Sequence, residues 1–354
     1  MEMEGRKKQR NLHVTDDIIF NILRRLPPKS LARFKCVCKS WQSFANQHKY
    51  HNQKLILLSS KTIQSIEFEA DEIKAVDLDI PFKVGNRMLE IASSNGLLFI
   101  LIEREGLVIW NPLIGRYKRV SILSNPPEYN GFGFWYDHST DNYKIVRLIR
   151  FSDWFCVEIY SQKSNSWQQK EILPLQNFNI LDYSFLQLTN WQFGVLVNEA
   201  LYWKIICINN DKEVIPAVLC FDTLNEKFDV IPSPDNVHAY DLGVFKGHLC
   251  LFDHHEAGHI DMWTREVGKN QNWIKFMNLQ RFDIKKPYDH VAPICSMKEE
   301  ETLAGGVGKL FIPLSEQIEE FFLYSPEAKA YKKFHITMKD FIKEITYIDS
   351  FVSP

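Results

Sequence analysis

Apolar residues at helical spacing mark the first fifty residues of the chain. Five of them fall on one stripe of a helix: Ile18, Ile19, Ile22, Leu23 and Leu26. Thr15 is placed to cap this helix, and Pro27-Pro28 ends it because a proline ring disfavours the helical conformation in the preceding residue. A second apolar series predicts one or two further helices: Leu31, Phe34, Val37, Cys38, Trp41 and Phe44.

These helices bury too little surface to be stable alone, since small domains need a larger core. Their apolar faces therefore pack on the rest of the chain or on another protein, and periodicity does not decide between the two. We assign residues 1–11 to a disordered basic tail, residues 12–54 to the helical module and residues 55–354 to a second domain.

The apolar pattern changes from a period of 3.6 to a period of 2 at Leu55, and Val, Ile, Phe, Tyr and Trp become frequent. This pattern predicts an all-β body. The only further helix expected is a short one near Met338–Glu344. A body of about 300 residues must hide its strand edges by closing into a barrel or by repeating radially.

Pairs of aromatic residues seven positions apart recur in this body, each pair around a polar turn. The pairs are Trp110 with Tyr117, Tyr136 with Tyr143, Tyr160 with Trp167, Phe221 with Phe228 and Tyr324 with Tyr331. Trp263 with Trp273 is a longer copy. One pair per unit gives steps of 42 to 61 residues, which bracket the roughly 40–50 residues of a propeller blade. The repeat favours a β-propeller over an irregular sandwich, with closing strands in residues 64–69 and 346–352.

Charge is divided unevenly between the two parts. Residues 1–54 hold 12 basic and 4 acidic residues, whereas the remainder holds 30 basic and 40 acidic residues. A basic module of this kind suits an acidic partner. The apolar patterning and the lack of a glycine-aromatic motif argue against nucleic acid. Seven scattered cysteines, no secretory leader and no long apolar run predict a cytoplasmic or nuclear protein that is not bound to a membrane.

One motif raises the possibility of metal chemistry. Residues His255 to His259 spell HExxH, which in zinc proteases places both histidines on one face of a helix. The flanking residues are strand-like, and Gly258 disfavours a helix. We therefore interpret this stretch as a polar hairpin loop, and we expect no metal and no cofactor. Cys36 and Cys38 lack further ligands at zinc spacing and are interpreted as packing residues.

The N-terminal segment resembles an F-box, the helical module that docks on a Skp-family adaptor in cullin-RING (SCF-type) ubiquitin ligases. The matching residues are Asp16–Ile19, Ile22-Leu23, Arg25–Pro27, Lys29–Leu31, Arg33–Lys35 and Val37–Trp41. F-boxes usually open with Leu-Pro, and this chain has Val14-Thr15 there.

The body resembles the kelch-like F-box-associated domain of plant F-box proteins. The matching residues include Ser94–Leu98, Trp110–Pro112, Gly131–Phe134, Asp141–Val146, Tyr160-Ser161, Phe221-Asp222, Leu323–Pro326 and Tyr347–Ser350. Together the two resemblances imply a short helical F-box followed by an all-β, kelch-like β-propeller.

The resemblance implies a non-catalytic substrate receptor that links a target protein, through a Skp-family adaptor, to cullin and RING subunits. The expected adaptor contacts are Val14, Ile19, Ile22, Leu23, Leu26, Pro27, Leu31, Val37 and Trp41, some of which pack the module internally. Target contacts are expected in loops 125–130, 176–191 and 253–259. Candidates there are Phe178, Tyr183, Phe185, Trp191, His254 and His255, although the aromatic residues suit a blade core equally well. Two alternatives stay open: a propeller that binds a carbohydrate or small ligand under a helical cap, and a zinc hydrolase using His255 and His259.

Overall fold

The structure is a computed structural model of the whole chain. It describes residues 16–23, 26, 28–34, 36–47, 53–69, 72–122, 130–150, 154–174, 191–208, 214–237, 240–245, 247–255, 259–265, 272–280, 310–313, 318–325, 330–338 and 340–354.

The N-terminal segment forms three short helices, as the apolar pattern predicts. They are α1 Asp16–Leu23, α2 Pro28–Phe34 and α3 Lys39–Gln47. Proline is well suited to the start of α2, because the first turn of a helix needs no amide donor from that position. No helix among the described residues is long and apolar enough to cross a membrane.

The rest of the described chain is built from sheets of mainly antiparallel strands, arranged as the blades of a β-propeller. The first three strands belong to one sheet: β1 Gln53–Ser59, β2 Ile63–Glu69 and β3 Glu72–Asp77. The second sheet contains β4 Met88–Ser94, β5 Leu97–Ile102, β6 Gly106–Asn111 and β7 Arg116–Val120. The third contains β8 Asn130–Asp137, β9 Asn142–Arg150, β10 Trp154–Ser161 and β11 Ser166–Pro174. A short strand, β12 Trp191–Phe193, is added parallel to β8.

Three further sheets follow. The fourth contains β13 Val195–Val197, β14 Ala200–Ile208, β15 Val214–Asp222 and β16 Lys227–Pro232. The fifth contains β17 Tyr240–Phe245, β18 His248–His254, β19 His259–Arg265 and β20 Trp273–Gln280. The last contains β21 Leu310–Pro313, β22 Ile318–Ser325 and β23 Ala330–Met338, and the final strand is β24 Phe341–Ile348.

The ring closes through the two ends of the body. The last strand, β24, pairs with β1 and completes the sheet β24-β1-β2-β3. The predicted closing segments do lie in this one sheet, but β1 separates them. The helix expected near Met338–Glu344 is wrong, because this stretch contains the end of β23 and the start of β24. Pairing with β1 outweighs the weak local preference for a helix.

The aromatic repeat is confirmed as a set of hairpins. In all five seven-residue pairs, the two aromatic residues face each other directly across adjacent strands. The longer copy is wrong as a pair, since Trp273 lies opposite Arg265 and Trp263 lies opposite Lys275. Cross-strand aromatic contacts stabilise a hairpin by roughly 0.2–1 kcal/mol each.

The core lies between neighbouring sheets. Phe99 of the second sheet stacks on Phe134 of the third at 5.1 Å between ring centres. Trp135 of the third sheet meets Phe221 of the fourth at 5.7 Å. Each blade therefore buries its apolar face against the next one, and the stability of the ring depends on contacts between blades.

Candidate functional site

The three helices pack around a small core of their own. Leu23 and Leu31 are fully buried, and Ile19, Phe20, Leu26 and Trp41 pack against them. Phe351, three residues before the end of the sequence, packs on the same cluster. The C-terminal segment therefore contacts the helical module directly.

Four apolar residues of the module face solvent. Ile18 and Ile22 lie one turn apart on α1 and are 53% and 55% exposed. Phe34 at the end of α2 is 37% exposed, and Val37 in the following turn is 58% exposed. The two aromatic residues Phe34 and Trp41 meet edge to face, with 5.6 Å between ring centres. We call Ile18, Ile22, Phe34 and Val37 the exposed apolar surface of the module.

The structure sorts the predicted adaptor contacts by burial. Leu23 and Leu31 fill the interior of the module, so neither side chain is available to a partner. Ile22 and Val37 are exposed, and Ile19, Leu26 and Trp41 are half-buried. Val14 and Pro27 lie outside the described residues.

Sequence reasoning did not place Ile18 and Phe34 among these contacts. The apolar stripe of the helix contains both buried and exposed residues, and spacing alone does not tell which side of the stripe is buried.

Hydrogen bonds between neighbouring blades define one face of the propeller. The Tyr143 hydroxyl donates to the carbonyl of Asn95 at 2.8 Å, and the Asn198 amide donates to the carbonyl of Gly247 at 3.2 Å. Both bonds lie at the end of the blades where a short turn joins the first strand to the second. We call this the turn face.

The end of the chain also lies on the turn face. The Tyr347 hydroxyl donates to the carbonyl of Gly96 at 3.2 Å, and Ser350 Oγ donates to the carbonyl of Asn95 at 3.2 Å. Asn111 Nδ2 donates to the carbonyls of Ser350 and Val352 at 2.9 and 2.8 Å. Because Phe351 lies in this segment and contacts the helices, the helical module adjoins the turn face.

The opposite face, which we call the loop face, carries the connections in which target contacts are predicted. Strands alternate in direction within each blade, so β8 begins and β11 and β18 end on the side away from the turn face. The parallel pairing of β12 with β8 places Trp191 beside Asn130 at the same edge. Phe178, Tyr183 and Phe185 lie outside the described residues, and so does the side chain of Trp191. His254 and His255 lie at the loop-face end of β18.

A cluster of histidine and aspartate side chains occupies the loop-face end of the fifth blade. Asp253 and Asp261 lie opposite each other on β18 and β19, and their side chains are 5% and 7% exposed. His255 Nε2 lies 2.9 Å from Asp261 Oδ2 and 3.1 Å from Asp253 Oδ2. The rings of His255 and His259 stack at 4.1 Å.

Asp261 is held by several donors besides His255. Lys275 Nζ lies 2.7 Å from Oδ2, and Asn278 Nδ2 donates to Oδ1 at 2.7 Å. Burial would raise the pKa of Asp261, but the bonds from Lys275 and Asn278 outweigh it and hold that pKa below its ordinary value. Asp261 is therefore ionised at neutral pH.

His254 belongs to a separate interaction on the other side of the strand. Its Nε2 lies 3.0 Å from Asp241 Oδ2, and Asp241 also lies 3.7 Å from Lys204 of the fourth blade. Successive side chains of a strand point to opposite faces, so His254 and His255 cannot act on the same ligand.

The interpretation of HExxH as a hairpin is supported by the backbone. His254 pairs with Ile260, and the amide of His255 donates to the carbonyl of His259 at 3.0 Å. The two histidines thus lie at the ends of neighbouring strands, not on one face of a helix. The geometry that places a glutamate general base between two zinc ligands in a zinc protease is not reproduced.

Comparison with known proteins identifies both parts of the chain. Residues 44–354 match the model of the F-box associated beta propeller domain, and residues 12–53 match the F-box domain. F-box protein CPR1 of Arabidopsis thaliana is 25% identical over 321 residues, which is 80% of this chain and 77% of that protein. An F-box/kelch-repeat protein of the same plant is 24% identical over 297 residues, covering 74% and 78% of the two chains.

A solved structure shares the fold. The Nidogen/Laminin complex contains a chain that is 13% identical, with a TM-score of 0.50, over 84% of this chain and all of that one. At this level of identity the likeness concerns the propeller fold alone.

Proposed function

Because the chain belongs to the family of F-box proteins with an F-box-associated β-propeller, we propose that it is the substrate-recognition subunit of an SCF-type ubiquitin ligase. The F-box docks on a Skp-family adaptor, which links it to cullin and RING subunits. The propeller holds a target protein. The chain then acts by proximity, since it raises the effective concentration of the target near a ubiquitin-charged conjugating enzyme.

The exposed apolar surface of the module is the observation that carries the adaptor contact. Leu23 and Leu31 fill the core of the module, and Ile18 and Ile22 lie outside that core. Several exposed apolar side chains in one small module favour a binding surface there. The excess of basic residues in the first 54 positions suits an acidic adaptor.

We place the target on the loop face. The helical module adjoins the turn face through Phe351, so a target on the loop face does not compete with the adaptor for space. The longer connections between blades also leave from the loop face, and loops on a rigid scaffold are where binding residues concentrate.

Binding of a purified plant Skp-family adaptor, measured by calorimetry, tests the proposal. Ile22→Asp is expected to weaken binding more than tenfold, because burial of one isoleucine contributes about 1.5–3 kcal/mol and about 1.4 kcal/mol is tenfold. Leu224→Asp is the matched control, since it places the same charge at an apolar residue that is 62% exposed outside the helical module, in the turn between β15 and β16.

Tight binding that is lost in Ile22→Asp and kept in Leu224→Asp supports the adaptor role. Absence of binding by the wild-type protein refutes it and leaves a ligand-binding propeller with a helical cap as the better interpretation. If the two variants weaken adaptor binding equally, the adaptor does not bind at the exposed apolar surface.

A further inference from the structure

The histidine-aspartate cluster of the fifth blade has the composition of a metal site. The nearest ligand atoms of His255, His259 and Asp261 all lie within 4.8 Å of one another. Zinc holds imidazole nitrogen and carboxylate oxygen at about 2.0–2.2 Å, so its ligand atoms are separated by roughly 3–4 Å. Both imidazoles are only half-buried, so the surrounding protein leaves their rings room to turn toward a shared ion. We propose that His255, His259 and Asp261 bind a divalent transition-metal ion of the zinc class on the loop face.

The backbone holds these three residues in place before any ion arrives. The bond from the His255 amide to the His259 carbonyl fixes the ends of β18 and β19 beside each other. His259 and Asp261 are two positions apart on one strand, so their side chains leave the same face of the sheet. Asp253 lies opposite Asp261 and supplies a further carboxylate 3.1 Å from His255 Nε2.

Charge also favours a cation at this point. Asp253 and Asp261 are neighbouring carboxylates with little contact with solvent, and like charges placed directly opposite each other destabilise a strand pair. A dication beside them reduces this repulsion more than the single charge of Lys275 can.

Lys275 is the natural competitor of the metal. Its ammonium lies 2.7 Å from the same Asp261 oxygen that faces His255, and its side chain is 48% exposed, so it is free to move toward solvent. Metal binding therefore requires Lys275 to give up this contact.

The ligand set selects the kind of metal. Two imidazoles with a carboxylate suit zinc, copper or nickel, whereas magnesium and calcium prefer oxygen ligands alone. Two histidines and one aspartate leave a fourth position for water or for a side chain of a bound protein. The metal site does not depend on the ligase role, and it is tested in the absence of any adaptor.

Calorimetric titration of the full chain, free of any affinity tag, with Zn²⁺ tests the proposal. Cys36 and Cys38 are both exposed and are replaced by serine throughout, so that these two thiols do not contribute to binding. We expect one zinc ion per chain. His259→Ala is expected to lower affinity more than tenfold, since loss of a supporting outer-shell group alone typically costs 10–100-fold.

Two further variants make the outcome decisive. Lys275→Gln is expected to raise affinity, because it removes the competing charge while preserving the size of the side chain. His254→Ala is the matched control, and it is expected to bind zinc like the parent because His254 faces Asp241 instead. Absorption bands of bound Co²⁺ that disappear in His259→Ala would identify imidazole ligation.

The proposal is overturned if the parent protein binds no zinc, if His259→Ala binds it unchanged, or if His254→Ala is affected as strongly as His259→Ala. A gain in Lys275→Gln supports it even if His259→Ala proves unstable. Binding of Mg²⁺ with similar affinity would also contradict the proposal, because it would indicate an unspecific acidic surface.

Discussion

Asn111 connects a turn of the second blade to the end of the chain, and the exchange Asn111→Asp separates its two roles. Asn111 Oδ1 accepts from the amides of Leu113 and Ile114 at 2.9 and 3.3 Å, and an aspartate preserves this turn. Asn111 Nδ2 donates to the carbonyls of Ser350 and Val352, and an aspartate replaces this donor with an acceptor.

The expected cost follows from burial. Asn111 is fully buried, so the exchange leaves two carbonyls without their donor and places a carboxylate against them. Each buried group left unsatisfied costs about 1–3 kcal/mol. We therefore expect Asn111→Asp to lower the free energy of unfolding by about 2–4 kcal/mol at neutral pH.

Asp222 provides the matched control because it holds the same position in the fourth blade. Its Oδ1 accepts from the amides of Leu224 and Asn225 at 2.9 and 3.2 Å, as Asn111 does in its own turn. Asp222→Asn preserves that acceptor and loses only the exposed bond that Asn225 Nδ2 donates to Oδ2, so we expect a loss of about 1 kcal/mol or less.

Urea unfolding measures both variants, and hydrogen exchange at residues 350–352 reports the tail directly. In Asn111→Asp, faster exchange of the tail should be accompanied by faster exchange in α1 and α2, because Phe351 packs on their core. Equal losses of stability in Asn111→Asp and Asp222→Asn, or unchanged exchange at the tail, would refute the role of Asn111 as an anchor.

Two further predictions concern the body of the propeller. Asp137 accepts from Ser139 and Thr140 and pairs with Lys144 at 2.9 Å, and these contacts outweigh burial and hold its pKa well below the ordinary value. The stabilisation is complete above the unfolded pKa of about 3.9 and is lost as pH falls toward the lower folded pKa. Asp137→Asn should therefore flatten the acid side of a plot of urea midpoint against pH, and an unchanged slope would contradict this. Gly133→Ala should destabilise by about 1–3 kcal/mol, since the added Cβ would overlap Leu201 and lie 2.9 Å from Val146 Cγ1. Gly131→Ala, where the closest atom is 3.4 Å away, is its control and should be nearly neutral in thermal unfolding.

The parts of the fold that sequence predicts well are those fixed by local chemistry. Three turns that follow a strand-closing aromatic residue are set by a side chain that bonds its own backbone, namely those of Asn111, Asp137 and Asp222. Once the turn is fixed, the two aromatic residues must face each other, since register follows from loop length. Spacing therefore contains enough information to predict these hairpins.

The failures come from contacts between distant segments. The stretch around Phe341 has the local pattern of a short helix, but it forms a strand because β1, nearly 300 residues earlier, offers an edge. The longer connection between β19 and β20 sets a register that pairs Trp273 with Arg265 and Trp263 with Lys275, so the two tryptophans do not face each other. Cys36 and Cys38, interpreted as packing residues, are exposed because their turn lies on the outside of the module.

Sequence predicts that the helical module has an apolar binding surface, but it does not predict which residues form that surface. Helical spacing identifies an apolar stripe, yet burial of Leu23 and exposure of Ile22 depend on which side of α1 meets α2. The contribution of Phe351 to the same core cannot be anticipated, because it comes from the opposite end of the sequence.

Closure of the ring by the last strand explains why the two ends of the chain meet. A propeller whose final strand pairs with its first must bring its C-terminus to the edge where the first strand begins. The helical module directly precedes β1, so its last residues lie at that edge. The six residues after β24 leave from the same edge and can reach the module. Asn111 and the Asn95 carbonyl fix that short segment, and Phe351 fixes the module. The same closure that stabilises the ring thus ties the module to the turn face and leaves the loop face, with His255 and His259, open to a partner.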